Sequence, residues 1–299
     1  HIVYNVGEQS LPARHDKRTY DALTPEASLD YTPVKHVTLF ASLGLGFRNP
    51  AHKELESPLP SFLFNQELKA QTSTDLNAGV RYKVTAKGPA RFWRSFRIEA
   101  RVVMNAISNE IVRYEIYGDD YFRNASGSSR LALKLNTRLE IIRDLDLSVK
   151  YTWCHFVYKT YTARVLEADS SGTLVPVDRD FSGNYEPNIP ASHLNISLSY
   201  RYPVCRHMAI NAEAAYLNVS GLWLNDGNSA KSAAFDLANS RLGIDLRFGH
   251  FSCSIDGGVN NIFDRVYVES ANTNSADRRY YDAGSPRDFS GSVRISYSF

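Results

Sequence analysis

Arginine and tyrosine fall close together in several stretches of this chain. RYEIYGDDYFR carries Arg113, Tyr114, Tyr117, Tyr121 and Arg123, and farther on come Tyr158, Tyr161 and Arg164. Trp223 stands in a third stretch, and Arg278, Arg279, Tyr280 and Tyr281 run consecutively in a fourth. A guanidinium offers charged oxygens a planar fork of N–H donors, and an aromatic ring offers a stacking face that also attracts cations. A plainer use is open to each tyrosine, which can continue a strand above a membrane or sit in an interfacial belt.

Other chemistries find little support. Cys154, Cys205 and Cys253 are few and far apart, so they form neither a disulfide framework nor a metal motif. The eight histidines include no pair at metal-ligand spacing. A hydrolase would need a Ser-His-Asp constellation or paired carboxylates, and nothing fixes His155 or His193 in such a set. The net charge of +2 points to no nucleic acid or other particular partner. No enzyme, no metal and no cofactor are expected.

The elements that carry these residues are strands. In the closing SGSVRISYSF, Gly291, Val293, Ile295, Tyr297 and Phe299 share one parity and Ser and Arg fill the other. A strand sends alternate side chains to opposite faces, so one face is apolar and one is wet. The same alternation marks 26–32, 37–45, 76–84, 96–106, 131–141, 147–153, 194–202, 208–216, 242–248 and 251–259, which makes eleven strands. No run of about 18 apolar residues is present, which excludes a transmembrane helix but not a barrel, whose lipid-facing residues are diluted by lumen-facing ones.

The links decide between a soluble sandwich and a membrane barrel. Those near 33–36, 85–95, 142–146, 203–207 and 249–250 are short; those near 47–73, 107–130, 154–192, 217–240 and 260–287 are long, in strict alternation. Short periplasmic turns and long outer loops are the habit of outer-membrane barrels. The polar parity carries Arg97, Glu99, Arg101, Lys134, Arg138, Glu140, Asp245 and Arg247, too many charges for a dry centre. Strands running down to the short turns finish in Tyr31, Tyr82, Tyr200, Tyr202, Phe248 and Tyr297, as an aromatic girdle would. The expected fold is an all-β, antiparallel transmembrane barrel with its apolar parity toward outer-membrane lipid. Eleven strands ending in the periplasm imply a first strand that starts outside. The chain is therefore expected to be the back part of a longer one, without its front strands and export signal.

Several stretches resemble one family, the TonB-dependent outer-membrane receptors. TPEASLDYTPVKHVTLFASLGLGFRNP (24–50) is similar to the segment leading into the family's Phe-Arg-Ala-Pro box, here Phe47, Arg48, Asn49 and Pro50. NQELKAQTSTDLNAGVRY (65–82), with Asn65, Leu68 and Lys69, resembles the next box, although Gln66, Ala70 and Gln71 depart from it. FRNASGSSRLALKLNTRLEI (122–141), GVNNIFDRVY (258–267) and the closing segment resemble later family strands, so the likeness runs through most of 1–299.

The resemblance implies the second half of a 22-stranded barrel occluded by a plug, with the plug and first strands absent from this sequence. It implies uptake of a ferric siderophore captured by outer loops and driven through TonB, which would contact the absent plug. Haem, cobalamin or carbohydrate are alternative cargoes; a passive porin or adhesin would lack the boxes. The residues implied for ligand contact are Arg113, Tyr114, Tyr117, Tyr121, Arg123, Tyr158, Trp223 and Arg278, Arg279, Tyr280 and Tyr281. Arg48 is expected to be structural, pairing with loop carboxylates. Haem receptors place an axial His between the two boxes; His52 lies there, and is expected to be a lone surface residue. Phe299 would be the terminal aromatic read by the barrel-assembly machinery.

Overall fold

Alternating side chains give alternating strands throughout the computed structural model, which describes residues 2–7, 15–55, 65–86, 88, 93–116, 119–168, 170–171, 174–275 and 281–298. The strands are β1 (Ile2–Gly7), β2 (His15–Tyr20), β3 (Glu26–Val34), β4 (Val37–Arg48), β5 (Gln71–Thr85), β6 (Ser95–Ile116), β7 (Asp119–Ile142) and β8 (Leu145–Thr160). There follow β9 (Thr162–Ala168), β10 (Leu174–Asp180), β11 (Ser192–Cys205), β12 (Met208–Val219), β13 (Phe235–Phe248), β14 (Phe251–Asn260), β15 (Val268–Ala271), β16 (Tyr281–Ala283) and β17 (Asp288–Tyr297). Eleven of them form one sheet in the order β17-β14-β13-β12-β11-β8-β7-β6-β5-β4-β3. Every neighbouring pair is antiparallel, so the sheet is a meander. Each of the eleven segments expected from alternation overlaps one of these strands. The hairpins β1–β2, β9–β10 and β15–β16 stand apart from the sheet, the last two inserted in long links.

The two faces of the sheet differ in chemistry. One presents the apolar parity outward, with Leu133 44%, Ile244 38% and Ile295 72% exposed. These are the residues that a dry core would have hidden, and so much exposed leucine, isoleucine and valine marks a surface that meets something other than bulk water. The other face is stitched by charge. Glu99 accepts from both Arg81 and Arg101 at 3.0 Å, and Arg138 meets Asp146 at 2.9 Å. Asp245 accepts from Asn211 at 3.0 Å and Ser254 at 2.8 Å, and pairs with Arg201. The Phe40 ring lies between the guanidinia of Arg81 and Arg101, 5.0 and 5.1 Å from its centroid, and its edge crosses Gly79.

Four two-residue turns close one end: Lys35-His36, Arg143-Asp144, Arg206-His207 and Gly249-His250. His36, Asp144 and Gly249 take positive φ (77°, 62° and 57°), a region His and Asp visit more readily than most side chains. One bond recurs in all four. The carbonyl of the second turn residue accepts from the next strand along the sheet: His36 from Lys83 (2.9 Å), Asp144 from Arg201 (2.9 Å), His207 from Arg247 (2.8 Å) and His250 from Ser298 (3.0 Å).

At the other end β6 and β7 run on for 22 and 24 residues. A tilted strand crosses a bilayer with about 9–11 residues, so this hairpin reaches well beyond the apolar band. The expected loop over 107–130 is thus mostly strand. Alternation fails there for a local reason, at Asn109 (φ 55°). Below it the even positions Val102 and Met104 are exposed, and above it the even positions Glu110 and Val112 are buried. An irregular residue of this kind swaps the faces of a strand and hides it from a period-two reading.

Candidate ligand-binding site

The two sequence boxes fold onto the extended hairpin. Arg48, ending β4, forms an ion pair with Glu54, whose other oxygen accepts from the Ala51 amide at 2.7 Å. This closes the short 3-10 helix His52–Leu55 over Pro50, which is fully buried. His52 on that helix is exposed. Leu55 and Leu68 are also fully buried and pack against Ile111 and Phe122. Asn65 donates to the Phe122 carbonyl at 2.9 Å. Asn124 accepts from the Lys69 amide at 2.7 Å and donates to the Lys69 carbonyl at 3.0 Å, copying one rung of a strand ladder. Phe47 pairs with Thr72 in the β4–β5 ladder. In this structure the box residues hold loop to strand.

Beside them lies a cationic and aromatic cluster. Tyr114 on β6 and Tyr121 on β7 are register partners with ring centroids 6.1 Å apart. The Arg123 guanidinium sits 4.5 Å from the Tyr114 ring centre, and its Nε donates to the Tyr161 hydroxyl at 2.9 Å. Burial, with the Arg123 charge opposing it, holds the Tyr114 phenol above its ordinary value. Arg113 pairs with Asp120, and this bond keeps the Asp120 carboxyl below the usual carboxylate range.

Asp226 gathers the surrounding links. It is 2% exposed and accepts from Tyr158 and Tyr161, one oxygen each, at 2.9 Å. Loss of water raises its carboxyl and both phenols. Asn274 joins a further link, accepting from the Asp226 amide at 2.9 Å and donating to the Arg113 carbonyl at 2.8 Å. Val112, Ala125, Tyr158, Tyr161 and Ala163 form the apolar floor beneath, with Phe181 packed on them.

A second polar knot lies deeper on the same face. Arg130 donates to both oxygens of Glu186, at 3.1 and 2.8 Å, and also pairs with Glu110, which accepts from Ser128. Both carboxylates are buried. Desolvation, then the nearby Glu110 charge, pushes the Glu186 carboxyl up to about 7.

The polar-faced meander with long outer strands agrees with a family comparison. A family model described as TonB dependent receptor-like, beta-barrel, matches residues 3–262. The chain belongs to this family. Solved structures of similar fold include the siderophore receptor PiuA from Acinetobacter baumannii, at 15% identity and TM-score 0.65, covering 97% of this chain and 38% of that one. The ferric yersiniabactin uptake receptor FyuA from Yersinia pestis gives 13% identity and TM-score 0.66, covering 95% and 38%. The copper transporter OprC gives 16% and 0.61, covering 96% and 40%. The chain thus spans about two-fifths of the length of these structures.

Within the TonB-dependent receptor barrel, the residues proposed from sequence divide into groups. Tyr114, Tyr121 and Arg123 come together, with Tyr158 joined through Tyr161, but on strands β6, β7 and β8 and not on loops, while Arg113 turns to the other face of β6 with Asp120. Tyr158 is turned into the Asp226 network and is 2% exposed, which removes its ring from any surface. Trp223 sits in the 220–234 link, paired with Lys231, whose ammonium lies 4.7 Å from the ring centre. Tyr281 enters as a backbone member of β16 opposite Ala271. Tyr117, Arg278, Arg279, Tyr280 and Phe299 lie outside the described residues. Asp226, Asn274 and the Glu110–Arg130–Glu186 knot carry no functional signal in the sequence. Asp226 stands in LNDGN, which reads as a solvated turn, and no local signal marks its burial.

Proposed function

We propose that this chain forms the C-terminal part of a bacterial outer-membrane receptor that takes up a ferric siderophore in a TonB-dependent manner. The observation that carries the reading is the Tyr114–Tyr121 ring pair with Arg123 stacked on it. These groups stand at the far end of the sheet from the short turns, on strands that outrun the membrane. A ferric chelate with anionic oxygens and flat catechol or phenol groups is complementary to guanidinium forks and ring faces. Several relatives of the same fold are named as siderophore or ferric-chelate receptors, which supports that cargo class. The energy would come through TonB by way of a plug in the rest of the protein. The barrel would enter the outer membrane through its assembly machinery, with Phe299 as part of the signal.

The test is a titration of full-length protein with a panel of ferric chelates, following intrinsic fluorescence. Catecholate or phenolate chelates are expected to bind, and Tyr114→Ala/Tyr121→Ala to weaken binding roughly tenfold, one stacked ring being worth on the order of 1 kcal/mol. Arg278→Ala/Arg279→Ala is expected to weaken it by a similar factor. Binding of none of the panel, or binding only of haem or cobalamin, would overturn the siderophore reading.

A further inference from the structure

The four two-residue turns share more than their hydrogen bond. Their first positions are Lys35, Arg143, Arg206 and Gly249, so three of the four present a permanent cation. Because each turn is pinned by the next strand, the backbone that carries these cations is held in place at the sheet end. Neighbouring hairpins stand two strand spacings apart, about 10 Å. Arg94, at the end of the 86–94 link, adds a fourth. Among the described residues of the five short links, Asp144 is the one carboxylate.

The charges are available. Lys35 and Arg206 have no ion pair among the described residues. Arg143 lies 3.5 Å from Asp144 but is 80% exposed, and Arg94 lies 3.3 Å from Glu140 while half exposed. Pairs so open to solvent are weak and exchange partners readily.

Immediately above the turns lies an exposed apolar skirt of Tyr31, Val34, Ile142, Tyr202, Phe248 and Tyr297. Histidines bridge the two zones. His207 is stacked on Phe248 at 5.8 Å, and its Nδ1 donates to the Arg247 carbonyl at 2.9 Å. His36 and His250 lean on Tyr82 and Tyr297 at 6.4 and 5.9 Å. Rings at hydrocarbon depth, amphipathic tips above them and fixed cations beyond match the layering of a lipid from acyl chain to phosphate.

We propose that this rim binds anionic glycerophospholipid in the periplasm-facing leaflet, with Lys35, Arg143, Arg206 and Arg94 as the headgroup contacts. The inference rests on the outer-membrane reading above. A zwitterionic headgroup carries its own cation and gains little from such a rim; a net negative one is attracted by each lysine or arginine within a Debye length.

Full-length protein reconstituted in phosphatidylcholine vesicles, with spin-labelled phosphatidylglycerol or phosphatidylcholine as the probe, tests it. The motionally restricted fraction is expected to favour phosphatidylglycerol roughly threefold at low salt and to lose that preference in high salt. Lys35→Gln/Arg143→Gln/Arg206→Gln is expected to bring the ratio near one, each single variant to give an intermediate value, and Lys53→Gln/Lys159→Gln at the other end to leave it unchanged. Equal association in the wild type, or a preference that survives the triple variant, overturns the proposal. Neither result touches the uptake reading, which stands or falls on chelate binding.

Discussion

Tyr158 and Asp226, 68 residues apart, meet in a buried bond of 2.9 Å, the phenol donating to a carboxylate that Tyr161 shares. Through it the tops of β6, β7 and β8 and the links 181–191, 220–234 and 272–275 become one packed unit. A charge-assisted bond without competing water is among the strongest a protein makes, and breaking one arm strands a buried group.

Tyr158→Phe is therefore expected to loosen the cap while leaving the sheet intact, at a cost of about 1–3 kcal/mol. Hydrogen exchange would show it as lost protection in 184–191 and 224–232 with unchanged protection in β12–β14. Uniform loss across all strands would contradict this local role.

The pH dependence has a definite sign. The Glu186 carboxyl is raised by burial to about 7, and that of Asp226 is raised too, so the folded cap holds protons that the unfolded chain has released. Their contribution is present in full at acid pH and is lost as pH rises from the ordinary carboxyl range through about 7 for Glu186. Protection factors of 184–191, corrected for intrinsic exchange, are expected to fall roughly tenfold between pH 5 and pH 8. Glu186→Gln is expected to flatten the profile; a rise with pH would refute the assignment.

Arg130 stands between two buried carboxylates, so Arg130→Met leaves both without their cation. The expected loss is about 3–5 kcal/mol. Arg130→Lys restores charge without the fork and recovers only part. The temperature at which the folded barrel converts to its unfolded electrophoretic form measures this. Adding Glu110→Gln and Glu186→Gln to Arg130→Met is expected to regain much of the loss.

Gly79 allows the Phe40 ring to lie flat across β5. A methyl group there would stand 2.4 Å from the Ala100 carbonyl oxygen and 2.5 Å from the ring. Gly79→Ala is expected to destabilise the barrel by about 1–3 kcal/mol in the same assay. Because one clash is with backbone, Phe40→Leu on top of it is expected to give only partial relief.

The eleven strands and their short turns were legible in the sequence, because a sheet with lipid on one side and polar groups on the other writes a period of two into each strand. The same signal vanishes above Asn109, where the parity swaps, so Arg113, Tyr114, Tyr121 and Arg123 read in the sequence as loop residues. Their meeting was foreseeable only as shared residue type. The partners that fix them were not, since Asp226, Asn274 and Glu186 arrive from distant links as ordinary polar loop residues. Burial of a lone aspartate depends on what covers it, and that is decided by long-range packing that no local pattern carries.

The carbonyl bond that ties each inner turn to the following hairpin gives the two ends of the barrel unequal freedom. Lengthening Lys35-His36 or Arg206-His207 by a residue would disturb both its own hairpin and the strand beyond it, while an added residue at Ser170-Ser171 would fall in the β9–β10 hairpin, which stands apart from the sheet. Insertional tags and epitope grafts are therefore expected to be accommodated at that outer hairpin, with the opposite edge held fixed in length.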